Sequence, residues 1–359
     1  MRELQPTPLT LPLSWIYGGV SALYHGAFDS GMRKPVDLGV PVLSVGNLVV
    51  GGTGKTPVVL AIAQTFLERG RFPAILTRGY GGSRTGLLQD GRWESGEAAG
   101  PEAGDEPLSL SHALPGVILG IGKHRTETGR HILQHRRVDA FLLDDGFQHR
   151  LLARQANLLL LDVEKPFGNN LLLPAGPLRE RPEAMQRATA ILLTGGDGSV
   201  SASTRHRLHH FKGPIWTTRL VLDHFATLDG ARCPKPHGPV LAVGGIARPE
   251  RLARFCEDAG LELIGLQSYP DHHRYTDSEV RELEAMHPGA TLLTTAKDAV
   301  RLMPFATPEQ WRVASVRMDI DGGWSAFLDR VLPSVFTPEV APKEEGAVSQ
   351  PLPGEFRTL

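Results

Sequence analysis

The chain has 359 residues, 41% of them hydrophobic, enough for two domains with buried cores. Its 38 basic and 39 acidic side chains nearly cancel, so bulk charge gives no support for a nucleic-acid binder. Cys233 and Cys256 are too few for a disulfide framework; no early stretch reads as a signal peptide, and no uninterrupted apolar run reaches the roughly 18 residues of a spanning helix.

Residues 1–12 are proline-rich and read as irregular. From Leu13, apolar residues recur at Ile16, Tyr17, Val20, Leu23, Tyr24, Ala27 and Phe28, one face of a helix. Trp15, Tyr17 and Tyr24 are of types that favour a membrane–water interface, and Arg33 and Lys34 follow. The spacing suits a helix lying in a membrane surface and a helix packed on its own core equally; Gly18 and Gly19 weaken either.

The apolar run Val40 to Val45 predicts a buried strand, and Pro57 to Arg69 has a helical pattern. Between them, Gly51, Gly52, Thr53, Gly54, Lys55 and Thr56, with Pro57, read as a phosphate loop. Glycines let backbone amides wrap phosphate oxygens at a helix N-terminus. Lys55 would reach the terminal phosphates, and the Thr56 hydroxyl would hold Mg²⁺. Val49 stands where the general motif wants a glycine.

Phe72 to Thr77 reads as a second strand, ending in Arg78-Gly79-Tyr80-Gly81-Gly82, a loop suited to an anionic ligand. Residues 83–104 are polar and show no period. Asp105 then opens a helix-compatible segment, as a cap or as a catalytic carboxylate; spacing alone favours the cap. Val117 to Ile121 is strand-like, with Lys123, His124 and Arg125 after it and a helix over Thr126 to Arg137. Ala140 to Leu143 runs into Asp144-Asp145-Gly146-Phe147-Gln148-His149. An apolar strand ending in aspartate downstream of a phosphate loop is what a Mg²⁺-binding second motif needs. Leu158 to Leu161, ending in Asp162, is the rival, and Asp162 reads better as an ordinary strand end.

Two prolines and a glycine stiffen Leu171 to Arg181, which carries Arg179 and Arg181. Ala190 to Thr194 is another strand, and a boundary is expected near 198–214. A second α/β pattern follows: strands Val240–Val243, Leu261–Leu266, Thr291–Thr295 and Val313–Met318, a helix over Pro249–Gly260, and a helix opened by a Thr276/Glu279 capping box. Asp271-His272-His273 invites a metal-phosphoesterase reading, but no further Asp/His clusters have convincing spacing. A His beside an Asp also serves as an oriented proton acceptor. Residues 337–359 are Pro/Glu-rich and expected to be disordered. No asparagine begins an Asn-Lys-x-Asp guanine-reading motif, which argues against a GTP switch.

Eight segments in order, SVGNLVVGGTGKTP, TRGYGG, GDEP, DDGFQHR, GNNLLLPAGPLRE, GGIARPERL, YPDHHRYT and TTAKDAVRL, make the chain resemble the tetraacyldisaccharide 4'-kinase family, the lipid A 4'-kinases of Gram-negative bacteria. The missing early glycine is a family feature; Ala296, where an acidic residue is expected, is a small departure. The resemblance implies an α/β fold: a P-loop NTPase-like, mostly parallel sheet domain hinged to a smaller α/β domain. The expected division is an N-terminal segment 1–34 with a membrane-surface helix, a kinase domain 35–210, a C-terminal domain 211–335 and a tail 336–359. It further implies ATP and Mg²⁺, transfer of the γ-phosphate to the 4'-hydroxyl of tetraacyldisaccharide 1-phosphate, and a peripheral enzyme on the cytoplasmic face of the inner membrane. On this reading Asp105 is the base, helped by His272; Lys55 grips phosphate; Thr56, Asp144 and Asp145 hold the metal. Arg78, Tyr80, Gln148 and His149 are candidate substrate or hinge contacts.

Overall fold

The computed structural model describes residues 6–51, 54–195, 199–246, 249–271 and 273–333. Gly52, Thr53 and His272, and the predicted tail, lie outside the described residues.

The chain starts with helix α1 (Thr10–Asp29). Strand β1 (Val42–Asn47) leads through the phosphate-loop segment into α2 (Lys55–Glu68), and β2 (Pro73–Thr77) follows. Inside the stretch that showed no period lies a hairpin, β3 (Gly86–Gln89) and β4 (Arg92–Trp93), pinned to the core by Leu88 and Trp93. Next come α3 (Asp105–Ala113), β5 (Ile118–Ile121), α4 (Arg125–His135), β6 (Ala140–Asp144), β7 (Ala156–Asp162) and β8 (Ala190–Thr194). The expected boundary contains a short helix, α5 (Ala202–Leu208), capped by Ser201. The remainder is β9 (Ile215–Ala226), β10 (Arg232–Cys233), β11 (Pro239–Gly244), α6 (Glu250–Asp258), β12 (Glu262–Ser268), α7 (Asp277–Met286), β13 (Thr291–Thr295), α8 (Ala296–Leu302), β14 (Trp311–Ile320) and α9 (Trp324–Val331).

One sheet runs through the whole structure in the order β12-β11-β13-β14-β9-β8-β7-β1-β6-β2-β5-β3-β4. From β8 to β5 the pairings are parallel, and these strands are buried end to end, as expected of a sheet covered on both faces. β1 sits between β6 and β7. The chain builds strands on one side of β1 and then crosses to the other, so a crevice opens at the C-terminal ends of β1 and β6. The phosphate loop and the Asp144-Asp145 turn both leave the sheet there.

α2 covers one face of this lobe, where Val58, Ile62 and Phe66 pack with Leu43, Val45 and Leu142; α4 covers the other with Ile132. The second lobe repeats the plan, with α7 and α8 on one face of its sheet and α6 on the other. β9 belongs to both lobes, pairing with β8 through residues 215–217 and with β14 through residues 218–226. α9 returns to the first lobe, where Phe327 and Leu328 join the α2 core.

Candidate functional site

The chain leaving β1 is anchored from outside at Leu48 and Val50. Val50 N–H donates to Pro177 O (2.8 Å) and Arg179 N–H to Leu48 O (2.7 Å), so the proline-stiffened segment backs the phosphate loop. Gly54, in the left-handed region at φ 81°, ends the turn; a Cβ there would come within 3.2 Å of Met318 Cε on β14. Lys55 is the first residue of α2, and its ammonium lies 3.4 Å from Gly51 O and 3.7 Å from Asp145 Oδ1. The loop lysine and the strand-end carboxylate expected from sequence thus come together. Thr56 and Pro57 follow in the first turn of α2, both half-buried.

Asp144 and Asp145 differ in surroundings. Asp144 is 3% exposed; its Oδ2 accepts from the Thr77 hydroxyl (3.2 Å), while its Oδ1 is buried without a hydrogen-bond partner. Burial, reinforced by Glu106 and Asp145, pushes its carboxyl up to about 6. Asp145 has a positive φ of 49°, uncommon for a non-glycine residue. Burial would raise its carboxyl, but Lys55 and Arg179 outweigh that and hold it below the usual range. Arg179 Nη1 reaches both Asp145 oxygens at 2.8 Å, and Arg125, buried at the start of α4, donates to the Asp145 carbonyl at 3.2 Å. Sequence reasoning left these two arginines without a role. The only signal was arginine in a stiff loop and arginine opening a helix after a strand.

Gln148 is bound into a bracket, its amide donating to Asn47 O and to Glu180 Oε1, both at 3.0 Å, and its carbonyl accepting from Arg179 at 3.3 Å. His149 is half-buried with an unpartnered Nε2; burial and the nearby Arg125, Arg154 and Arg78 push it down to about 4, so it is neutral near pH 7. Asp162 accepts from the backbone of Glu164 and Lys165, a turn-forming role that matches its reading as a strand end.

Asp105 is the first residue of α3, and Gly104 holds the N-cap position without a side-chain cap bond. The cap role that spacing favoured for Asp105 is therefore wrong: the glycine takes the cap because its φ of 89° suits no side chain. The Arg78–Gly82 loop packs against this corner, since a Cβ on Gly104 would sit 2.9 Å from Tyr80 O and one on Gly82 would sit 2.7 Å from Glu102 O. Arg78 and Tyr80 are exposed, Tyr80 at 81%, and both line an open cavity of about 1060 Å³ shared with Lys123, His124 and Glu127. From the second lobe, Arg301 on α8 brings its Nε to 3.6 Å from Asp105 Oδ2. The loop that carries His272 is tied to the same arginine, because the carbonyl of His273 accepts from Arg301 Nη1 at 2.8 Å.

α1 lies beside this site. Tyr17 O–H donates to Arg179 O (3.0 Å) and Ser14 O–H to Leu172 O (2.7 Å). A Cβ on Gly18 would come within 2.8 Å of Leu172, so that glycine allows the close approach. Inward go Ser14, Gly18, His25 and Phe28; Leu13, Trp15, Ile16, Val20 and Leu23 are all more than half exposed. Among the described residues no helix is long and apolar enough to cross a membrane.

The chain is similar to known proteins over most of its length. A tetraacyldisaccharide 4'-kinase of Anaeromyxobacter sp. (strain Fw109-5) is 38% identical over 336 residues, 88% of this chain and 87% of that one. One of Shewanella sediminis is 33% identical over 324 residues, covering 90% and 89%. The crystal structure of "apo" form LpxK from Aquifex aeolicus in complex with ATP superposes with a TM-score of 0.73 at 28% identity, over 91% of this chain and 98% of that one. The family described as LpxK, tetraacyldisaccharide-1-P 4'-kinase, matches residues 7–333. The chain belongs to the tetraacyldisaccharide-1-P 4'-kinase family.

Proposed function

We propose that the protein transfers the γ-phosphate of ATP to the 4'-hydroxyl of tetraacyldisaccharide 1-phosphate, a step of lipid A biosynthesis. The observation that carries this is the meeting of Lys55 with Asp145 across the crevice, in a chain matched to the family over residues 7–333.

Phosphoryl transfer depends on positioning and charge neutralisation. The amides of the 51–56 loop and Lys55 hold the β- and γ-phosphates. The site also fits a Mg²⁺ ion. Asp144 offers a buried oxygen with no partner, whereas Asp145 is already engaged by Arg179, so Asp144 and Thr56 are the better direct ligands and Asp145 the flanking charge. Among the described residues no cluster of three or more His, Cys, Asp or Glu could hold a metal, which suits an ion bound through one or two carboxylates and substrate phosphates. Bound there, Mg²⁺ would neutralise charge on the phosphoryl oxygens. Asp105 accepts the proton of the attacking hydroxyl, helped by His272. Arg78 and Tyr80 line the cavity into which the sugar phosphate fits. Gln148 and His149 set the turn that carries the acidic pair. The outward apolar face of α1 lies in the cytoplasmic surface of the inner membrane, where the lipid acceptor resides.

The test is a transfer assay with γ-labelled ATP, Mg²⁺ and the lipid in detergent. Label is expected at the 4'-position, and Asp105→Ala is expected to lower kcat on the order of 10²-fold or more, the scale of general-base catalysis. Label released only as free phosphate would overturn the lipid-kinase reading. In the same assay Lys55→Ala should lose both ATP affinity and rate.

A further inference from the structure

The candidate base is met from the other lobe by an arginine whose remaining contacts all lie within that lobe. Arg301 is 10% exposed and its Nη2 lies 2.6 Å from Asp298 Oδ1. Its Nη1 donates to His273 O at 2.8 Å and its Nη2 to Gly245 O at 3.4 Å. Asp298 is fully buried and itself fixed, accepting from Gly245 N–H (3.1 Å), the Thr295 hydroxyl (2.8 Å) and the Tyr275 hydroxyl (3.4 Å). The two terminal nitrogens are spent inside the second lobe, and Nε, which donates to Lys297 O at 3.5 Å, stands 3.6 Å from Asp105 Oδ2 as an ion pair. A planar, charged fork held this way keeps its Nε edge turned to the carboxylate in one direction, which a lysine cannot do.

We propose that Arg301 is a positioning residue for the phosphoryl transfer: it carries the geometry of the second lobe to the Asp105 carboxylate and holds it in the orientation that accepts the proton. The inference rests on Asp105 being the base. Arg301 then acts on the chemical step through Asp105 and leaves ATP binding alone, because Lys55 and the phosphate loop belong to the other side of the crevice.

The test is a double-mutant cycle on the full chain, reading kcat and the KM for ATP with the tetraacyl disaccharide 1-phosphate in detergent, with thermal melting as the fold control. Arg301→Gln is expected to lower kcat at least about tenfold, since misplacement of a reacting group by an ångström can cost about a hundredfold, with the KM for ATP changed less than about twofold. In the Asp105→Ala background the same substitution should cost nothing further, because the group it positions is gone. Arg301→Gln leaves Asp298 buried without its partner charge, so Arg301→Lys is run through the same cycle should the first variant fail to melt cooperatively. A native melt with unchanged kcat would overturn the proposal, as would an equal loss in both backgrounds. Full turnover in Asp105→Ala alone would instead overturn the base assignment beneath it.

Discussion

Asp144 is a carboxylate the fold holds at a cost. Its folded value of about 6 lies above the ordinary 3.8, so the fold favours the protonated form. The cost of ionising it is absent below about pH 4, grows between about 4 and 6, and is complete above that. At 1.36 kcal/mol per unit, the destabilisation at pH 7 is on the order of 3 kcal/mol. Asp144→Asn keeps an acceptor for Thr77 and removes the charge. It should therefore stabilise the protein by about 1–3 kcal/mol at pH 7, with the gain vanishing near pH 4, while transfer activity is lost. Urea melts at the two pH values check the first part and the transfer assay the second. An Asn variant less stable than the wild type at pH 7 would contradict the buried-charge account. The same raised value predicts that the Mg²⁺ concentration for half-maximal rate climbs as pH falls through about 6, because protonation removes the oxygen offered to the ion.

At the scale of elements, α1 shows both what periodicity gives and what it withholds. The repeat from Leu13 to Phe28 correctly announced a helix, but it did not say which face turns inward. The protein buries Ser14 against the Leu172 carbonyl, Gly18 against the Leu172 side chain and His25 against the Glu180 carboxylate, and it leaves the leucine and isoleucine stripe outside. Burying one such side chain is worth roughly 1.5–3 kcal/mol. Ile16→Glu and Leu23→Glu should each weaken sedimentation with phospholipid vesicles by about tenfold or more without altering the melt; vesicle binding unchanged in the double variant would remove α1 from the membrane surface. The strand, glycine turn and helix around Lys55 were legible because each obeys a local rule, and so was the Thr276 capping box, whose two reciprocal bonds form as expected. β9 was not legible: Ile215–Ala226 mixes apolar with polar residues and becomes a strand only because β8 and β14 flank it. The same limit governs the site. Lys55 and Asp145 sit at strand and helix ends that local patterns mark, whereas Arg179, Arg125 and Arg301 reach the acidic residues through tertiary packing that no spacing announces.

Across the whole molecule, the division into two α/β units hides a continuous covalent and packed connection. The chain leaves the first lobe along β9 and comes back along β14 into α9, so the second lobe hangs on a two-strand ladder clamped at its near end. The clamp is apolar. Phe327 is fully buried, meets Trp216 of β9 edge-on at 5.4 Å between ring centres, and joins the α2 core with Phe66 and Ile62. The ion pair between Arg69 and Asp329 spans the same junction at 2.7 Å but lies at the surface. The two contacts should differ sharply in worth. Phe327→Ala leaves a cavity and should cost about 3–5 kcal/mol in a urea melt. Arg69→Ala should cost less, because the Asp329 carboxylate that it holds is exposed and screened by solvent. Since α2 also begins with Lys55, loosening its packing should reach the phosphate loop, so the ATP affinity of Phe327→Ala should fall while that of Arg69→Ala holds. If Arg69→Ala proves the more damaging of the two in the melt, the lobes are joined by surface charge, and the apolar clamp is not what carries the second lobe to the site.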